Sequence, residues 1–362
     1  MSAHLTKLKK LEKYRHWNIP YSWCVQNVVK RLAQSFREMR TLGRGHPQFK
    51  SCKKHKGMTF RGEQVRIEKL LDKQKHFRNH PTYHIRLNGH WYRFALHRRI
   101  KGQIREVQVT RDALGAVYIT LTEDYSEVIP EPKTGKAEGF DMGIKDFLIG
   151  SDGHRYTSPM FYKQNADKLA KAQKAHARKV VGSNNQERER KNIARIHKKT
   201  ANQRADHHWK LAIDLCKQFD ILFFEDLNLT GMKALWGKQV SDLAFGEFIE
   251  KLKHQSHKRN RFVFKIGRWT PTTKCCSVCG HKNQSLTLAD RSWICSKCST
   301  HLDRDHNAAI NILKEGVASF GLGVVSPIVL LGKIVGCAIE SSNQVLNSTI
   351  AFAEKIAEAP TL

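Results

Sequence analysis

Two cysteine pairs have the type and spacing of a metal site. Cys276-x-x-Cys279 and Cys295-x-x-Cys298 are separated by 15 residues. Each CxxC turn aims two sulfurs at one point, and a connecting loop of this length brings both pairs around one tetrahedral ion. Four thiolates leave no open coordination position, so the expected ion is a structural Zn²⁺ and not a catalytic one. Cys275, beside Cys276, leaves the register of the first pair open, although the CxxC spacing favours Cys276. Trp293 is placed to pack over this module. Cys24, Cys52, Cys216 and Cys337 are isolated and read as ordinary thiols.

A second group is acidic. Asp141 sits in an apolar stretch between Gly139 and Gly143, and Glu225 ends the run Ile221-Leu222-Phe223-Phe224. Asp305 lies near the start of a helical pattern whose Ala308 and Ala309 would let that helix sit close to a sheet. A charge in apolar surroundings is costly unless a metal or a partner meets it. Hydrolysis of a phosphodiester with divalent ions needs several converging carboxylates, which makes these three candidates for a Mg²⁺ site. The neighbours stay open at this point. Asp226 competes with Glu225, and Asp303 competes with Asp305, which could instead cap its helix.

The elements that must position these groups can be read from periodicity. Apolar spacing predicts helices in residues 1–56, a basic segment with 14 Lys/Arg against two Glu. Residues 57–130 alternate and carry β-branched and aromatic residues, and Asn88-Gly89 marks a tight hairpin, so a small barrel or sandwich is expected. Pro130, Pro132 and Gly135 mark a boundary. From Gly139 the pattern becomes α/β. The run 221–225 and the run 262–266 read as buried strands, and residues 161–218 as two long helices broken at Gly182-Ser183-Asn184-Asn185. Residues 163–217 hold 15 Lys/Arg and five Asp/Glu, which favours a helical hairpin facing nucleic acid. The last stretch, 316–362, has two Lys and three Glu and no evident role. Its apolar part is too short and interrupted to span a membrane.

The whole chain carries 63 Lys+Arg and 33 Asp+Glu in 362 residues, a formal net charge of +30. Self-repulsion on that scale is unfavourable unless a polyanion offsets it, so nucleic acid is the expected partner. No secretory signal opens the chain, and a reduced cytoplasmic setting fits the cysteine usage.

Taken together, GFDMGIKD at 139–146, FFEDLNLTGM at 223–232, TKCCSVCG at 273–280, DRSWICSKC at 290–298 and DRDHNAAINIL at 303–313 resemble the TnpB (OrfB) proteins of bacterial and archaeal insertion sequences, relatives of the type V CRISPR (Cas12) nucleases. NQRADHHWKLA at 202–212 is similar to that family's helix before its second acid. The resemblance implies an α/β RNase H-like (RuvC) nuclease domain at 131–274 and 300–315, with a basic hairpin at 160–218 and a zinc ribbon inserted at 275–299. Ahead of it, a helical recognition region at 1–56 and a wedge-like β-barrel at 57–130 are implied. Carried over by position, the family's acids fall on Asp141, Glu225 and Asp305, and its ribbon ligands on Cys276, Cys279, Cys295 and Cys298.

The implied activity is cleavage of double-stranded DNA beside a short element-specific motif, directed by a guide RNA and using two Mg²⁺ in a prokaryotic, nucleoid-associated and monomeric protein. The chain opens on helical pattern where family members begin with a strand, so the wedge is expected to lack one strand. The residue after the last ribbon cysteine, often Gly in the family, is Ser299 here. Two rival readings are an RNA-guided protein that binds DNA without cutting it and a guide-independent transposase.

Overall fold

The computed structural model describes residues 6–14, 22–48, 57–69, 82–124, 131–287 and 289–319. The expectations for 320–362 and for Cys52 and Cys337 lie outside the described residues. The chain divides into two units, Met1–Ser126 and Glu127–Leu362. Among the described residues, no helix is long and apolar enough to cross a membrane.

In the first unit, helix α1 (Ser22–Leu42) packs on strand β1 (Gly57–Arg61). Strands β2 (Arg66–Lys69), β3 (Thr82–Leu87) and β4 (His90–Ala95) form one antiparallel sheet. Strands β5 (Gln103–Arg111) and β6 (Val117–Asp124) join β1 in another, in the order β1-β5-β6. The two three-stranded sheets share a core of Phe60, Ile85, Leu87 and Val107, closed on one side by Cys24 of α1. Asn88 and Gly89 both take positive φ (48° and 83°), as a two-residue hairpin between β3 and β4 requires.

The second unit is built on a five-stranded mixed sheet. Its members are β7 (Ala137–Asp141), β8 (Leu148–Gly150), β9 (Arg155–Tyr156), β10 (Ile221–Glu225) and β11 (Phe262–Ile266), in the order β11-β10-β7-β8-β9. Strands β7, β10 and β11 are parallel, and β8 and β9 run antiparallel at the other edge.

Both faces of this sheet are covered, which is why β10 is apolar at consecutive positions. Phe140, Leu222 and Phe224 face a core with helices α3 (Asn184–Gln218), α4 (Leu229–Leu243) and α5 (Phe245–Lys258). Phe223 and Ile266 face helix α6 (Arg304–Ser319) through Ile312, Leu313 and Val317. Helix α2 (Phe161–Ala177) packs against α3 as a hairpin, and the turn between them contains Gly182. Ser183 starts α3 by accepting a hydrogen bond from the Gln186 amide at 3.1 Å.

Candidate active site and four-cysteine centre

The acids are placed by the parallel strands. Asp141 is the last residue of β7 and Glu225 the last of β10. The register pairs Phe223 with Gly139 and Phe224 with Phe140, so the next step sets Glu225 level with Asp141. Residues two apart share a face, so both carboxylates lie on the face that carries Gly139 and Phe223. That is the face of α6. A Cβ on Gly139 would stand 2.5 Å from the Ala309 carbonyl oxygen, and one on Gly316 would stand 2.3 Å from the Phe223 ring. Glycine at these two positions lets α6 lie directly on β7 and β10, with its first turn, which carries Asp305, at the acid end of the strands.

The electrostatics report the same convergence. Burial, then the charges of Asp305 and Glu225, push the Asp141 carboxyl up to about 7, against the opposing pull of Arg304. Burial and Asp226 raise Glu225 above the usual carboxylate range. Asp141 and Glu225 at the carboxyl ends of parallel strands, with Asp305 in the first turn of α6, have the donor chemistry for a hard divalent cation such as Mg²⁺. Among the described residues, the group whose ligand atoms all lie within 4.8 Å of one another is the four cysteines.

The neighbouring acids are engaged elsewhere. Asp226 accepts hydrogen bonds from Lys265 at 2.9 Å and Arg268 at 2.7 Å, and these partners hold its carboxyl below the usual range. Asp303 caps α6, accepting from the His306 amide at 2.9 Å, and pairs with Arg155 at 2.9 Å. The capping role open to Asp305 thus falls to Asp303.

Asp305 itself is gripped by two arginines. Arg304 approaches to 2.8 Å and Arg291 to 3.2 Å. Neither arginine stood out in the sequence, because an Arg beside an Asp reads as an ordinary surface pair.

The four cysteines converge as a second centre. The sulfurs of Cys276, Cys279, Cys295 and Cys298 all lie within 4.8 Å of one another, and the Cys276–Cys298 and Cys279–Cys295 separations are 3.6 Å. Tetrahedral sulfurs at about 2.3 Å from Zn²⁺ stand about 3.8 Å apart, so the donor set fits zinc. Each pair closes on a left-handed residue after its second cysteine, Gly280 at φ 74° and Ser299 at φ 56°. Trp293, Leu286 and Leu302 pack around the sulfurs, with Leu302 on the small antiparallel pair β12 (Ser292–Ile294) and β13 (His301–Asp303). Cys275 is outside the cluster and contributes its carbonyl instead.

That carbonyl ties the module to the acids. Asn307 and Asn311, one turn apart on α6, each donate to the Cys275 carbonyl at 2.7 Å. Asn307 also accepts from the Ser277 amide at 2.8 Å. The helix that carries Asp305 is therefore bolted to the first cysteine turn. Sequence reasoning missed both asparagines, although their spacing of four, just after the acid, was visible.

The fold and the sequence resemble those of known proteins. Residues 245–312 match the family described as Cas12f1-like, TNB domain, and residues 116–235 match OrfB_IS605, described as Probable transposase. A Streptomyces pristinaespiralis protein named "Putative RNA-guided DNA endonuclease" is 29% identical over 333 residues, 89% of this chain and 78% of its own length. InsQ of Escherichia coli K12, with the same description, is 25% identical over 250 residues, 64% of this chain and 62% of its own. The cryo-EM structure of a Cas12f1–sgRNA–target DNA complex matches with a TM-score of 0.53 at 15% identity, covering 86% of this chain and 75% of that one.

The second unit and its cysteine module thus define a Cas12f1-like fold with a mixed α/β sheet and a four-cysteine cluster of zinc-ribbon type. Over residues 116–235 and 245–312, and along most of its length against the Streptomyces protein, the chain is similar to the TnpB (OrfB/IS605) family.

Proposed function

We propose that this chain is an RNA-guided DNA endonuclease of a transposable element, cutting by a two-metal RuvC mechanism at Asp141, Glu225 and Asp305. One observation carries the reading: burial, with the charges of Asp305 and Glu225 added to it, lifts the carboxyl of Asp141, at the end of β7, to about 7. A bound divalent cation would favour all three acids in their ionised form, adding to what Arg304 and Arg291 already offset at Asp305. The strand order β11-β10-β7-β8-β9 supports an RNase H-like reading of the sheet.

Mg²⁺ held there supplies the Lewis acidity for in-line hydrolysis of a phosphodiester. Asp141, level with Glu225 and within reach of the Asp305 charge, would hold Mg²⁺ together with those two acids. Arg304 and Arg291 orient Asp305 and offset part of its charge. Cys276, Cys279, Cys295 and Cys298 would hold Zn²⁺, and Asn307 and Asn311 tie α6 to the first cysteine turn.

Guide RNA and double-stranded target DNA are the proposed partners, with sequence read by base pairing and the protein reading backbone and a short adjoining motif. The proposed division of labour assigns 1–56 to recognition, 57–130 to a wedge-like role and the basic hairpin 160–218 to holding nucleic acid.

The test is to sequence the RNA that co-purifies with the protein, and then to offer target DNA matched to it with Mg²⁺. A discrete RNA from one element flank and matched cleavage abolished by Asp141→Ala support the reading. Binding without cleavage, or cutting of element ends with no RNA present, would replace it with one of its two rivals.

A further inference from the structure

Trp269 is 91% exposed, more than any other large apolar side chain among the described residues. An indole is ordinarily a core residue, because it has a large apolar surface to bury. Its position is specific. Strand β11 ends at Ile266, which is paired with Glu225, so Trp269 lies three residues beyond the level of the acids. It is on the same carboxyl edge of the parallel strands, where ligands of such sheets bind.

The chain there is held and not slack. The Thr270 amide donates to the Gly267 carbonyl at 3.2 Å, closing a turn around Arg268 and Trp269. Arg268 donates to the Asp226 carboxylate at 2.7 Å and to the Asp226 carbonyl at 3.3 Å, and Lys265 reaches the same carboxylate at 2.9 Å. Asp226, adjacent to Glu225, thus pins the turn that presents the indole. Backbone lengths place the Trp269 Cα no more than roughly 16 Å from that of Glu225.

The surroundings select the occupant. Trp269 is flanked in its turn by Gly267, Arg268 and Thr270, with no second large apolar side chain there. An apolar protein partner would need a contiguous patch. A single flat π-face beside half-exposed cations suits one nucleobase and its phosphate.

We infer that Trp269 is a positioning residue, a platform on which an unpaired base of the DNA strand being cut stacks at the carboxyl edge of the sheet that carries Glu225. This rests on the nuclease reading above. A free base face is available only in a single strand, so the platform acts on the unpaired stretch of the target. It needs no sequence preference, since every base has a π-face.

The experiment uses the full chain with its co-purified RNA. Single-stranded oligo(dT) is expected to quench tryptophan emission in the native protein, and Trp269→Phe is expected to lose a distinct part of that quench. In matched target cleavage, Trp269→Ala is expected to raise KM about tenfold with little change in kcat, as loss of one stacked base implies. Trp269→Tyr should restore most of the KM, and Trp269→Leu should behave like Ala.

An unchanged KM in Trp269→Ala, rescue by Leu as good as by Tyr, or a quench given by RNA but not by oligo(dT) would each overturn the inference. The two readings fail separately. If Asp141→Ala still cuts, the nuclease reading falls. If Asp141→Ala is dead while Trp269→Ala is silent in both assays, the inference alone falls.

Discussion

Residue-scale details decide which side chains do chemistry and which hold the frame. Ser299 takes φ 56°, a left-handed conformation that an L side chain resists and glycine accepts. Its counterpart after the first cysteine pair is Gly280. Ser299→Gly is therefore expected to stabilise the zinc module by about 0.5–1 kcal/mol, read as a rise in melting temperature or in resistance to chelators. His208 is fully buried, stacked on Phe147 at 5.4 Å, and neither ring nitrogen has a hydrogen-bond partner.

Burial pushes the His208 imidazole down to about 4. An unfolded His binds its proton near 6.5, so between 6.5 and 4 the unfolded chain holds more protons than the folded one. The contribution of neutral His208 is whole above 6.5 and is lost as pH falls toward 4. His208→Leu is expected to flatten the acid side of the stability profile by on the order of 2 kcal/mol, measured by denaturant titration of both proteins at matched pH values. Neither effect was legible beforehand. The Ser299 difference was visible as a letter but its φ was not, and HH at 207–208 gives no sign of which ring is sealed in.

At the scale of elements, the acid site depends on how closely α6 approaches the sheet and on what holds it there. Gly139 and Gly316 remove the Cβ atoms that would keep strand and helix apart. Asn307, 1% exposed, joins α6 to both Cys275 and Ser277. Asn307→Leu leaves the buried Ser277 amide without its acceptor, while Asn311 still serves the Cys275 carbonyl.

A loss of about 1–3 kcal/mol is expected, measured by thermal unfolding. Cleavage should fall together with amide protection in the first cysteine turn. Normal protection with lost activity would separate the module from the acids and contradict this coupling.

Much of the second unit was readable here because period and burial agree. The run ending at Glu225 is apolar at consecutive positions, as a strand covered on both faces must be. Strand β5 falls inside the stretch read as β, but Arg105, Glu106 and Arg111 interrupt its pattern, although Val107 and Val109 alternate toward the core. Helices α4 and α5 went unread. The first carries Gly231 and Gly237 and is non-helical at Trp236, which blurs a 3.6-residue period.

Over the whole molecule, composition points to a nucleic-acid partner, and the spaced motifs point to the family and to the candidate acids. A net charge of +30 points to a polyanion but not to a site. Acids 84 and 80 residues apart in sequence meet only because parallel strands and a returning helix bring their ends together. Glu225 was distinguished from Asp226, and Asp305 from Asp303, by family position. In the structure Asp226 is paired with Lys265 and Arg268, Asp303 with Arg155, and Asp305 with Arg304 and Arg291. What sets Asp305 apart from Asp303 is its charge acting on Asp141.

The most direct measurement compares cleavage of matched target DNA by five variants. Asp141→Ala, Glu225→Ala and Asp305→Ala should each lose more than about a hundredfold in rate, as removal of a Mg²⁺ ligand implies. Asp226→Asn and Asp303→Asn should remain within about tenfold of the native enzyme, because neither faces the ion site and Asn still caps a helix. Full activity in any of the first three, or loss in the last two as deep as theirs, would contradict the assignment of the active site.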